Sequence, residues 1–259
     1  MLLEGRVAVV TGGTRGIGRG IAEAFVANGA HVMINSRTNA KGEQALAEMN
    51  VGDRAAFTAG DVKQQRDVEA LIDATVARFG RLDILVNNAG GSSGFALVGD
   101  LSDDAWHEAL NWNLNAMFFG SRRALKHMVA QQWGRIITIS SVEGKQASKA
   151  AVSHYITNKH AMHGLTKAIA FEYGAQGITS NAICPGAIET DLMREAGPAA
   201  AATMGITYER FLQNYADESM IKRLNKVEEV AAVAVLLASA AGAGMTGGLI
   251  NVDGGTAAW

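Results

Sequence analysis

Short apolar, β-branched runs alternate along this chain with longer stretches of helical periodicity. VAVV (7–10), HVMIN (31–35), LDILVN (82–87), RIITIS (135–140), ITSNAIC (178–184) and GLINV (248–252) read as strands, with a weaker one in AAFTAG (55–60). Runs this continuously apolar suit parallel strands covered on both faces. Between them, Ile17, Ile21 and Phe25 recur at spacing four and stop at Asn28-Gly29, while Val68, Leu71, Ile72, Val76 and Phe79 mark a second helix. Long helices are predicted over about 103–131 and 150–174, and another begins near Val227. Strand and helix alternating through short connections predict right-handed crossovers and an α/β fold with one doubly wound parallel sheet of about seven strands. No linker, repeat or low-complexity segment interrupts the pattern, so residues 1–259 read as a single domain.

The rhythm fails once, after Asp191, in LMREAGPAAAATMGITYERFLQNYADESMIKR. Gly197-Pro198 and Gly205 break this stretch into predicted short helices at about 191–196 and 207–217 with hinge-like joints. Its inward candidates are apolar: Leu192, Met193, Met204, Tyr208, Phe211, Leu212 and Met220. Arg194, Glu195, Glu209 and Arg210 fall in adjacent pairs of opposite sign, which suits a solvated outer face.

Composition narrows the class. The chain is 48% hydrophobic and 19% charged with a formal net charge of −2, enough for a large core and without the basic surplus a nucleic-acid footprint needs. The single cysteine, Cys184, excludes an internal disulfide, suits a reducing compartment and reads as a small apolar filler at a strand end. MLLEGRVAVV has no cleavable signal pattern, and the apolar stretch Val230–Ala241 is too short to span a bilayer, so a soluble, cytoplasmic protein is expected. His160 and His163 have a metal-compatible spacing, but no third ligand is placed beside them and no metal is expected.

The chemistry begins where the first strand runs into TGGTRGIG, residues 11–18. Gly12, Gly16 and Gly18 let the backbone turn tightly and bring a helix N-terminus against a pyrophosphate, the arrangement of a Rossmann-type dinucleotide site. Further on, SHYITNK sets Tyr155 and Lys159 on one helix face. A free phenol, with pKa about 10, is a sluggish acid near neutrality, and a neighbouring ammonium or a cationic nicotinamide is expected to pull it down.

TGGTRGIG, NNAG (87–90), Asn113, ISSVEG, YITNK and PGAIET (185–190) occur in the order found in the short-chain dehydrogenases/reductases, and the resemblance runs from about residue 4 to 255. It implies a catalytic set of Asn113, Ser141, Tyr155 and Lys159, with Ser140, Asn111 and Asn115 as the structural alternatives. It also implies that the cofactor meets Gly12, Thr14, Arg15, Gly16, Ile17 and Gly18 at the turn, and Asp61 and Val62 at the adenine. Asn88, Ala89 and Gly90 would lie beneath it, and Pro185, Gly186, Ile188 and Thr190 beside the nicotinamide. Relatives that reduce carrier-bound acyl chains have arginines at the positions of Gln132 and Gln176, which are neutral here. A cofactor-sensing protein without activity would be expected to lose part of the tetrad, and this chain keeps all of it.

The end of the second strand bears on the cofactor. Where NAD-dependent enzymes offer the ribose a carboxylate, this chain has Ser36 and Arg37, and no acid follows until Glu43. With Arg15 inside the glycine turn, two guanidinium groups suit a 2′-phosphate, so NADP(H) is expected. The segment over about 191–223 is expected to act as a lid on a compact, largely apolar ketone or its secondary alcohol. Resemblance further implies a homotetramer built through the two long helices and the C-terminal strand region, with Trp259 docked.

Overall fold

The computed structural model describes residues 1–257, the side chain of Leu192 excepted; Trp259, expected to dock, lies outside them. Seven strands, β1 (Val7–Val10), β2 (His31–Ser36), β3 (Ala55–Ala59), β4 (Ile84–Asn87), β5 (Gly134–Ile139), β6 (Ile178–Pro185) and β7 (Leu249–Val252), form one sheet in the order β3-β2-β1-β4-β5-β6-β7. Every pairing is parallel. The order reverses between β1 and β4, and ligands bind such sheets outside the carboxyl ends of the strands at that switch point.

Nine helices flank the sheet among the described residues: α1 (Gly16–Ala27), α2 (Asn39–Met49), α3 (Gln65–Phe79), α4 (Asp103–Leu110), α5 (Ala116–Gln131), α6 (Ser153–Tyr173), α7 (Asp191–Thr203), α8 (Tyr208–Glu218) and α9 (Val227–Ala238). On one face Ile21, Phe25, Ala45 and Val230 cover Ala8, Val10, Val32, Ile34 and Val86. On the other, Leu71, Ile72, Met117, Leu125 and Met162 cover Val9, Met33, Leu85 and Ile136. Successive strand residues thus enter opposite cores, which is why the strands show no polar alternation. The apolar stretch at 230–241 is largely α9, packed on α1, and no helix among the described residues is long and apolar enough to cross a membrane.

Two expectations about helices need correction. The long helix is broken by one π-helical turn, Asn111–Asn115, between α4 and α5. The first lid helix does not end at 196: α7 runs through Gly197-Pro198 to Thr203. Four alanines after the proline favour continuation, and the loss of one helical hydrogen bond at Pro198 is tolerated. Gly197 is no hinge, since it backs onto α8, where a Cβ would lie 2.5 Å from Tyr208 Cε2. Met204 and Met220 also face outward, at 61% and 69% exposure, leaving Met193, Tyr208, Phe211 and Leu212 half-buried.

Strands β1 and β4 are tied at their entry ends by Asp83, whose side chain is fully buried. It accepts hydrogen bonds from Arg81 at 2.7 and 2.6 Å, from Arg6 at 3.1 Å and from the Val7 N–H at 3.0 Å. Removing the carboxylate leaves the Val7 N–H unpaired and two partly solvated guanidinium groups without their acceptor. Asp83→Ala is therefore expected to lower stability by about 1–3 kcal/mol, read from the urea midpoint at unchanged slope. A loss within the range of an ordinary surface substitution would show that solvent already screens this cluster.

Candidate active site

The first turn and the end of β4 are built against each other. Thr11 Oγ1 accepts the N–H groups of Asn88 and Ala89, both at 3.0 Å, and Asn88 Nδ2 donates to the Thr11 and Gly12 carbonyls at 2.8 and 3.3 Å. Gly18 must be glycine here, because a Cβ would lie 2.4 Å from Asn88 Nδ2 and 2.5 Å from the Gly12 carbonyl. Gly12 and Gly16 take the left-handed conformation at φ 63° and 55°. Helix α1 then opens after Arg15 without a capping side chain or an acid in its first turn. Those N–H groups, with Thr14 and Ile17 alongside, suit a pyrophosphate.

Asn35, itself buried, donates to the Thr58 and Gly60 carbonyls at 3.0 and 3.1 Å and so joins the ends of β2 and β3. Beyond it Ser36 is half-buried and Arg37 exposed, with no carboxylate on this strand end. Asp61 accepts the Lys63 N–H at 3.0 Å and gives its own N–H to Asp67 at 3.0 Å, while Val62 packs with Val68 and Ala116. This end of the sheet thus offers main-chain donors at the glycine turn, an apolar patch at Val62 and the exposed Arg37.

Asn113 and Lys159 meet beside Gly90, with Tyr155 next to the lysine. The π turn aims Asn113 inward, where it is 1% exposed and its amide donates to the carbonyls of Gly91 at 2.7 Å and Ala109 at 2.8 Å. Asn111 and Asn115 bond each other on the outside. A Cβ on Gly90 would lie 2.6 Å from Asn113 Oδ1 and 3.6 Å from Lys159 Nζ, so that glycine opens the space between them. Lys159 is 4% exposed, donates to the Ile139 carbonyl at 3.0 Å and lies 5.4 Å from the Tyr155 ring centre.

The two serines of ISSVEG separate. Ser140 is buried, 2.7 Å from His163 Nε2, whereas Ser141 is half-buried, accepts the Glu143 N–H at 3.1 Å and acts on the phenol of Tyr155. Burial pushes Tyr155 above its ordinary range, opposed by the Ser141 hydrogen bond and reinforced by the charge of Glu143. The downward pull expected of the ammonium thus does not outweigh burial among the protein's own groups. Burial also lowers Lys159 to about 8, so at neutral pH it still carries its charge about nine times in ten. Cys184 is buried, with its thiol pushed up to about 11 by that burial, as suits a filler.

Around the mouth, Pro185 ends β6 and Gly186 fits under Asp253, where a Cβ would lie 2.9 Å from backbone. Ile188 is buried, and Thr190 caps α7 by accepting the Met193 N–H at 3.5 Å. Sequence reasoning missed four polar groups in this region. Glu143 is buried and accepts from Ser148, and His154 is fully buried with Nε2 3.0 Å from the Ser93 carbonyl. Asp191 and Glu195 reach back to the glycine turn, the first accepting the Gly16 N–H at 3.1 Å and the second pairing with Arg15 at 3.0 Å. No periodicity flags such contacts, because the partners lie 175 and 180 residues away.

Three comparisons agree with this geometry. The family described as short chain dehydrogenase matches residues 6–201. D-beta-hydroxybutyrate dehydrogenase of Cupriavidus necator is 36% identical over 98% of each chain, and a 3-oxoacyl-(acyl-carrier-protein) reductase of Pseudomonas aeruginosa is 37% identical, again over 98% of each. The crystal structure of a variant of actinorhodin polyketide ketoreductase with NADPH superimposes with a TM-score of 0.92 at 33% identity, covering 98% of both chains. A glycine turn at the switch point, a tyrosine and lysine adjoining on one helix, and full-length similarity of this order lead to one conclusion: the chain belongs to the short-chain dehydrogenase/reductase family and is an oxidoreductase acting on hydroxyl and keto groups.

Proposed function

We propose that the chain interconverts a small, neutral, largely apolar ketone and its secondary alcohol with NADP(H). The observation that carries this reading is one chain of neighbours: Asn113 and Lys159 flank Gly90, Lys159 lies 5.4 Å from the Tyr155 ring, and Ser141 acts on the phenol. When bound, the nicotinamide supplies the hydride or takes it. Tyr155 gives its proton to the developing alkoxide, Ser141 holds the substrate oxygen toward the phenol, and Lys159 stabilises the phenolate left behind. Asn113 fixes the loop after β4 against the π turn between α4 and α5.

Electrostatics favour a neutral substrate. Arg194, Arg210 and Arg223 pair with Asp191, Asp217 and Glu229, and Lys149 pairs with Glu218, so these four cations around the lid are already engaged. The buried carboxylate of Glu143 adds negative charge near the phenol. A substrate carboxylate placed at the phenol would meet that field. A second reading, reduction of 3-oxoacyl thioesters or oxidation of a 3-hydroxy acid, is favoured by the names of the Pseudomonas and Cupriavidus relatives; its carrier-bound form is opposed by the neutral Gln132 and Gln176. The outward stripes of α5 and α6, with Phe118 and Phe171 exposed, suit association into a homotetramer.

A steady-state comparison of small neutral ketones, 3-keto acids and acyl thioesters tests the substrate class. Neutral ketones are expected to lead in kcat/KM by about tenfold or more, the discrimination an unpaired polar group imposes. A lead of similar size for the acids or thioesters would overturn the reading.

A further inference from the structure

We propose that Glu195 governs discrimination between the phosphorylated and unphosphorylated dinucleotides and, with Asp191, couples the lid to the glycine turn. The inference rests on the NADP(H) reading, because it requires Arg15 to be a ligand of the 2′-phosphate. Both contacts of α7 with the turn are of the kind a phosphate makes: a main-chain N–H at a helix start, given to Asp191, and a guanidinium, given to Glu195. Asp191 is charged there. Burial pushes its carboxyl up, but the hydrogen bonds from Arg194 and Gly16 prevail and hold it below the ordinary range. Thr190 adds a packing contact, its Cβ and Cγ2 lying 3.6 Å from a Cβ built on Gly16.

Glu195 takes the Nη1 donor of Arg15 and lays its charge against the guanidinium. A 2′-phosphate that pairs with Arg15 through two donors including Nη1 displaces Glu195, and until it is displaced the carboxylate repels the arriving dianion. A dinucleotide that ends in a ribose hydroxyl meets neither effect. Glu195 therefore weakens NADPH selectively, and NADPH in turn frees one anchor of α7, since coupling between two ligands of one group is reciprocal. The pair is a surface one, with side-chain exposures of 45% and 65%, which bounds the coupling at about two- to fivefold in affinity.

The experiment is a fluorescence titration of the full-length enzyme with NADPH and with NADH, in wild type, Glu195→Gln, Arg15→Ala and the double variant. Glutamine keeps the helix propensity and size of the exposed glutamate, so folding is preserved. Glu195→Gln is expected to tighten NADPH about two- to fivefold with NADH unchanged, and to have no effect once Arg15 is alanine. Hydrogen exchange over 191–203 should be faster in the NADPH complex than in the NADH complex, a difference that disappears in Glu195→Gln. If Glu195→Gln moves both cofactors equally or neither, while Arg15→Ala weakens NADPH, the inference fails and the cofactor reading stands. If Arg15→Ala leaves NADPH affinity intact, the cofactor reading fails and takes the inference with it. Equal exchange in the two wild-type complexes would remove the lid coupling.

Discussion

Tyr155→Phe is expected to lower turnover by about 10²–10⁴-fold, the contribution of a positioned acid–base group, with cofactor affinity unchanged. The substitution removes one oxygen and keeps the ring that stands 5.4 Å from the Lys159 ammonium. Burial keeps the phenol protonated through neutral pH, so the proton-donating form needed for ketone reduction is the resting one. Reduction should accordingly hold through neutrality and fall as pH rises through the raised pKa, while alcohol oxidation should gain over the same interval. Lys159→Ala serves as the contrast, since it removes the charge beside the phenol and, on the proposed reading, a cofactor contact as well, and should lose turnover and cofactor binding together. The checks are cofactor titration and the absorbance of the reduced nicotinamide during turnover. A Tyr155→Phe enzyme that kept a tenth of wild-type turnover would remove the tyrosine from the mechanism.

The second large effect is on cofactor choice. Arg37 stands exposed at the end of β2 beside Ser36, and no carboxylate shares that strand end. Hydrogen bonds to a charged group contribute roughly 1.5–3 kcal/mol, so losing a guanidinium that meets a 2′-phosphate costs about 10- to 100-fold. A carboxylate at position 36 adds repulsion toward the phosphate and an acceptor for ribose hydroxyls. The wild type should prefer NADPH in kcat/KM, and Ser36→Asp combined with Arg37→Leu should move the NADPH-to-NADH ratio by about 10²–10³-fold. Comparable specificity constants for the two cofactors in the wild type would contradict the proposal.

Legibility in the sequence followed the range of the interactions. Strands buried on both faces announce themselves as apolar runs, and all seven were readable within a few residues of their observed ends. The glycine turn was readable because close approach leaves only glycine, as at Gly18 under Asn88. Helix α2 carries a weaker pattern: Ala45 and Met49 are its buried apolar side chains, and Gly42 is buried because the Phe57 ring occupies the space of a Cβ. The lid misled for a local reason, since Gly197-Pro198 is a strong breaker signal that Tyr208 and four alanines override. Met204 and Met220 looked inward because their apolarity says nothing about the path of the chain between α7 and α9. The site was legible as a set of residues joined by resemblance, yet Glu143, Asp191 and Glu195 depend on tertiary proximity alone.

The π turn at Asn111–Asn115 has a consequence for the phase of the helix pair it joins. An α-helix turns by about 100° per residue, so the wider turn sets α5 out of phase with α4. Met117, Ala124 and Met128 pack with Leu85 and Ile136 of the sheet. Rewinding this segment as regular α-helix at unchanged length would rotate the α5 stripe by about 100° and turn those three side chains away from β4 and β5, whereas deleting one residue would restore the even repeat and leave the stripe in phase. The wide turn between Leu110 and Ala116 thus acts as an angular setting that absorbs one residue and keeps the buried side of the following sixteen-residue helix on the sheet.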